Sequence, residues 1–173
     1  MDQDRIRMTA IASGVLLYTG IQASDILNYW RTNPYDRWGW LAFIIWCLPI
    51  GLSFLHRRFG AGASRPTAPL LGLGLAVSLL GTMGDLSLFK FFGFALSLAA
   101  IVPWRWSNLV WIATCVAWIH VLGYFLQWFS SNRLFIHIMR IVIALAGVLW
   151  FVLVACYSSR LQVTKSDETS KAS

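Results

Sequence analysis

Charge is what this chain has little of. Only 12% of its 173 residues are charged, and just seven are acidic. A soluble domain carries roughly a quarter charged residues, so an ordinary water-solvated fold is excluded. Hydrophobic residues reach 58% and mean hydropathy is +0.64, a surface that lipid accepts and water does not. Cysteine is scarce too. Cys47, Cys115 and Cys156 lie within apolar runs, with no C-x-x-C pair. That removes the usual spacing of thioredoxin-like redox motifs and of zinc sites. The three read as small hydrophobes in helix packing, and no cofactor or metal is expected. No internal repeat or low-complexity tract interrupts what length alone suggests is one domain.

The charge that is present is mostly basic, +7 in total. Nucleic acid is not an expected partner. The basic residues are scattered in ones, twos and threes between apolar runs, so no stripe can track a phosphate backbone. They are instead placed like the topology-setting charges of a membrane protein.

A spanning helix takes about 20 mostly apolar residues. Six stretches qualify: Met8–Asn28, Trp38–Leu55, Pro69–Gly84, Leu86–Val102, Ser107–Phe129 and Leu134–Tyr157. The expected fold is an all-α, polytopic transmembrane bundle of about six spans over residues 1–157. A disordered polar cytoplasmic tail follows at 158–173. Five spans is the main rival, since only Gly84-Asp85 separates the third and fourth stretches. Gly81, Gly84 and Asp85 favour a tight turn there, glycine supplying φ > 0. Asp2 and Asp4 dilute the basic flank of the first run, which therefore reads as a span and not a cleaved leader.

Orientation follows from arginine and lysine. With the N-terminus inside, Arg5, Arg7, Arg57, Arg58, Arg65, Arg105, Arg160, Lys165 and Lys171 are cytoplasmic, against Arg31, Arg37 and Arg133 outside. This bias places both termini in the cytoplasm of a cell carrying the protein in its inner membrane. Trp30, Trp38, Trp40, Trp104, Trp106 and Trp128 take belt positions. Trp46, Trp111, Trp118 and Trp150 lie deeper and are expected to pack between helices, as does the Trp111, Cys115, Trp118 stripe.

Ionisable groups inside a membrane need a partner or a wet cavity. Asp85 with Lys90 reads as a local ion pair, and Asp25 as a helix-end group. On a rise of 1.5 Å per residue, His120 lies about 13 Å below the external end of its span, Arg140 about 9 Å and His137 about 5 Å. His120, Tyr124 and Gln127 share one face of the fifth span, and Arg133, His137 and Arg140 one face of the sixth. The two helices are joined by a short loop, so these faces are expected to meet as a polar seam opening outward. Such a seam serves as interhelical glue, or by snorkelling, or as a site. Cys47 comes level with His120, which makes Cys47, His120 and Arg140 candidate catalytic residues. Neighbouring positive charge would favour a thiolate there.

The stretch Tyr35-Asp36-Arg37-Trp38-Gly39-Trp40-Leu41 opens a span ending in His56-Arg57-Arg58. After it come Pro69-Leu70-Leu71-Gly72-Leu73-Gly74-Leu75, the Gly84-Asp85-Leu86 turn, Phe92-Gly93-Phe94-Ala95-Leu96 and Trp104-Arg105-Trp106. This order resembles the N-terminal, non-catalytic half of the exosortase/archaeosortase family, multi-span enzymes of protein sorting, over Tyr35 to Trp128. The family's catalytic Cys-Ser-Gly, with a later Arg and His, is not carried over. Cys156-Tyr157-Ser158-Ser159-Arg160 lacks the glycine and no further span follows it. The tryptophan-rich sensory proteins are set aside because their Trp-x-Pro-Pro motif is missing. The resemblance implies a non-catalytic relative or accessory in envelope protein sorting, with lipid and other membrane or exported proteins as partners. A membrane cysteine transpeptidase or protease using Cys47, His120 and Arg140 is one competing class. A small-molecule or ion carrier using Asp25, Lys90 and the seam is the other.

Overall fold

The computed structural model describes residues 3–58, 67–102, 106 and 108–171, with backbone alone for residues 4, 5, 54–58 and 155–171. Arg65, Trp104 and Arg105 lie outside the described residues, as do the side chains of Arg5, Arg57, Arg58, Cys156, Arg160, Lys165 and Lys171. All the regular structure described is helical: α1 (Gln3–Gln22), α2 (Asp25–Thr32), α3 (Gly39–Arg58), α4 (Ala68–Met83), α5 (Ser87–Ala99), α6 (Asn108–Ala113), a 3-10 turn (Thr114–Ala117), α7 (His120–Gln127) and α8 (Arg133–Lys171).

Each apolar stretch falls on a helix or a helix pair, but the helices differ from the expected uninterrupted spans. Among the described residues one helix is long and apolar enough to cross a membrane. It is the Arg133–Val154 part of α8, whose apolar stretch is only 28% buried. Two further segments pass that test only as bent pairs. The α1–α2 pair turns by 41°, and α6 with its 3-10 turn meets α7 at 67°. The apolar parts of α3, α4 and α5 are shorter. Near Asp25 the cause of the bend is local. Thr19 Oγ1 donates back to the Val15 carbonyl at 2.9 Å and the Ser24 N–H bonds Ile21 at 3.1 Å. The turn is thereby tightened before Asp25 reopens a helix with a carboxylate in its first turn.

The α4–α5 hairpin forms as expected, with a different use of its glycines. The positive φ falls on Asp85, at 49°, while Gly84 has φ −93°. Glycine serves close approach instead. A Cβ on Gly74 would lie 2.8 Å from the Gly93 carbonyl oxygen, and one on Gly81 would lie 2.6 Å from the Lys90 nitrogen. The polar stretch from Ser158, expected to be irregular, is helical to Lys171. A helix nucleated by the apolar run before it propagates at low cost.

The core centres on tryptophan. Trp46 and Trp111 are fully buried and stacked at 4.8 Å. Each indole Nε1 donates to the other residue's carbonyl oxygen at 3.0 Å. Pro49 lies inside α3 and lacks the N–H that would bond the Ile45 carbonyl one turn back. Trp118 is buried edge-on against Trp46, and Cys115 is buried beside it in the same cluster. Trp150 departs from expectation at 43% exposed, while Trp40, Trp106 and Trp128 face outward as belt residues would.

Candidate functional site

The polar groups converge where the loop between α2 and α3 meets α7 and α8. This loop is shaped by Asn33. Its side-chain oxygen accepts from the Tyr35 N–H at 3.0 Å, and its Nδ2 donates to Asp36 Oδ2 at 2.7 Å. Such an Asx arrangement fixes a turn locally. The Gly39 N–H then bonds the Asp36 carbonyl at 2.7 Å and starts α3.

One face of α8 holds that loop. Arg133 lies over the Tyr35 ring, 5.6 Å from its centroid. His137 stacks on Trp38 with centroids 5.2 Å apart. Arg140 Nη2 pairs with Asp36 Oδ1, both side chains wholly buried. Burial pushes the Asp36 carboxyl up to about 6, against the opposing pull of Arg140.

Arg140 also mends a broken helix. Ile119 is extended, at φ −75° and ψ 142°, so the carbonyls before it lose their intrahelical donors. Arg140 Nη1 donates to Ala117 O at 2.8 Å and to Ile119 O at 3.2 Å. The intervening Trp118 carbonyl accepts from Trp30 Nε1 at 3.1 Å. Glycines let these parts close. A Cβ on Gly123 of α7 would sit 2.4 Å from Arg140 Nη2 and 2.6 Å from Asp36 Oδ1; one on Gly39 would sit 2.2 Å from Trp30 Nε1.

The expected seam is therefore divided. Arg133, His137 and Arg140 do share a face, but their side-chain partners are Tyr35, Trp38 and Asp36. Only Arg140 engages the fifth segment, through its backbone. His120 turns toward α2 and α5, stacked on Tyr29 at 4.5 Å and edge-on to Phe91 at 5.5 Å. Tyr124 is 63% exposed, and Gln127 ends α7 half-buried. Cys47 packs against the apolar core, and among the described residues no hydrogen bond joins it to His120 or Arg140. Lys90 Nζ lies 2.9 Å from Asp85 Oδ1, the ion pair expected from their spacing. Asp25 opens α2 as a helix-end group. Among the described residues no group of three His, Cys, Asp or Glu is placed to hold a metal.

The residue missed in the sequence is Asp36. Its signal was available, because a guanidinium deep in an apolar chain requires an anion. At the same end, a cleft of about 410 Å³ opens beside the loop and is lined by arginines and His137. No family model, curated protein or solved structure matches this chain.

Proposed function

We propose that this chain is a multi-pass membrane protein with both termini in the cytoplasm, acting as a non-catalytic scaffold in envelope protein sorting or export. Six apolar helical segments enter the bilayer, the bent pairs and the short hairpin included. The loop 33–38 faces the outside with Arg31, Arg37 and Arg133. Lipid solvates the outward face of α8.

The observation that carries the scaffold reading is where Arg140 directs its donors. A guanidinium poised for chemistry would present free N–H groups to a substrate. This one gives its Nη groups to Asp36, Ala117 and Ile119, with the Nε buried away from any substrate and unpartnered, and so ties three parts of one chain into a fixed outer surface. A rigid, pre-organised surface is what a docking partner requires. The sorting context comes from the resemblance of residues 35–128 to the non-catalytic half of a sortase-like family.

Deletion and complementation test the reading. Removing the gene should leave exported proteins that carry a C-terminal membrane anchor unprocessed, and the Cys47→Ala chain should restore processing fully. A Cys47→Ala chain present at normal level yet unable to restore processing would support the cysteine-enzyme alternative. Unchanged processing in the deletion strain would remove the sorting role.

A further inference from the structure

The cleft beside the loop gathers basic residues that take no part in the buried Asp36–Arg140 pair. Arg31, Arg37 and Arg133 line it together with His137, and all three arginines are exposed. These are the only three basic residues that orientation assigns to the outside, brought together by the α2 end, the loop and the α8 start. Among the described residues none of the three forms an ion pair. The carboxylate of the loop itself, Asp36, is wholly buried and held by Arg140 and Asn33. It cannot neutralise the cleft. His137 is 8% exposed, and its buried Nδ1 makes no hydrogen bond. Trp38 fixes the imidazole plane by stacking.

We infer that this cleft binds a phosphate group at the outer surface of the membrane. Three guanidinium forks present more donors than a carboxylate with two oxygens can use, whereas a phosphate offers three or four acceptor oxygens and up to two negative charges. A volume of about 410 Å³ admits a phosphomonoester or a lipid phosphodiester head. The charge is uncompensated and lies at an aqueous mouth, so a free phosphate and a lipid headgroup present the same chemistry to it. Phosphate binding here rests on the proposed placement of the loop 33–38 at the outer face and not on the sorting role.

Purified full-length protein tests this in two arms. In detergent, titration calorimetry with inorganic phosphate and pyrophosphate reads free-phosphate binding, with acetate as the carboxylate control. In nanodiscs of phosphatidylcholine with or without phosphatidylglycerol, native mass spectrometry reads retained lipid. Saturable binding in the first arm identifies a free phosphate as the ligand. Selective retention of phosphatidylglycerol in the second identifies a headgroup. Either result supports the inference, and affinity should fall as salt rises.

Arg31→Gln with Arg37→Gln, both on exposed side chains, should weaken binding about tenfold per arginine while leaving the melting temperature unchanged. Arg37→Lys should recover only part of the loss, because it keeps the charge but not the fork. Absence of binding in both arms would overturn the inference. So would acetate binding as tightly as phosphate, or a doubly substituted chain that binds like the parent.

Discussion

The α4–α5 hairpin and the knot of loop, α7 and α8 hold helices together by opposite means. In the hairpin, backbones touch. Gly74 and Ser78 on one helix meet Gly93 and Ser97 on the other, Gly81 meets Phe89 and Lys90, and a Cβ on Gly93 would lie 2.6 Å from the Ser78 nitrogen. Its one ion pair lies at the turn, with the Asp85 side chain 94% exposed. In the knot, backbones are kept apart or broken, and polar side chains bridge them. Its ion pair is wholly buried. Small residues gain dispersion without directing it, as membrane helices commonly do. Directed bonds make a specific geometry but leave costly orphans when one partner goes. The hairpin should therefore be sensitive to volume and indifferent to charge. The knot should be sensitive to charge first.

The sharpest way to break that contrast is Arg140→Met. Removing one partner of a buried pair costs about 3–5 kcal/mol. Here the Ala117 carbonyl loses its donor as well, while the Ile119 carbonyl keeps the Leu122 N–H at 3.4 Å. Thermal unfolding in detergent should show the loss. Amide exchange should rise across residues 33–38 and 117–123, with residues 74–97 unaffected. Asp36→Leu combined with Arg140→Met should recover only part of the stability. An apolar replacement removes the stranded charge, yet it leaves the Ala117 carbonyl unmet at about 1–3 kcal/mol. Full recovery would mean that the carbonyl bonds contribute little.

How much of this was legible follows from the same contrast. The hairpin could be read along the chain, since its turn and the Asp85–Lys90 pair are local. That the six apolar stretches are helical was legible for the same reason, while among the described residues one helix alone is long and apolar enough to cross a membrane. Spacing put Arg133, His137 and Arg140 on one face of a helix, and all three meet residues of the loop 33–38. Their partners were not legible, because Arg140 and Asp36 are separated by 104 positions and the loop's Asx turn advertises a bend and not a contact. The bends were hidden as well. Trp118 and Ile119 are as apolar as their neighbours, and the groups that make the break tolerable, Arg140 and Trp30, belong to distant segments.

Next in size is a volume test applied to both regions. Gly93→Leu should destabilise by about 1–3 kcal/mol through overpacking, with exchange rising along α4 and α5. Gly123→Ala should cost a similar or smaller amount, since the added methyl meets Arg140 Nη2 and Asp36 Oδ1 and must push apart groups already bonded. In a background of Arg140→Met the Gly123→Ala cost should shrink, because the side chain it collides with is gone. The Gly93→Leu cost should be the same in both backgrounds, distant sites being additive. Equal Gly123→Ala costs in the two backgrounds would place its strain elsewhere.

The smallest effect is expected at the hairpin's own ion pair. Lys90 holds the Asp85 carboxyl below its ordinary range, by hydrogen bonding first and by charge second. A carboxylate whose folded value is lowered adds stability above its unfolded value of 3.8, and that stability is lost as pH falls through the lowered one. With Asp85 almost fully in solvent, screening leaves little to lose. Asp85→Asn is the cleanest probe, because asparagine also accepts the left-handed conformation at φ 49° and only the charge changes. The melting temperature near neutral pH should match the parent within error, and on acidification the substituted chain should lose slightly less stability than the parent over the range where Asp85 titrates. A drop comparable to that of Arg140→Met would mean that the hairpin too depends on a directed charge pair. The distinction between the two regions would then be one of exposure alone.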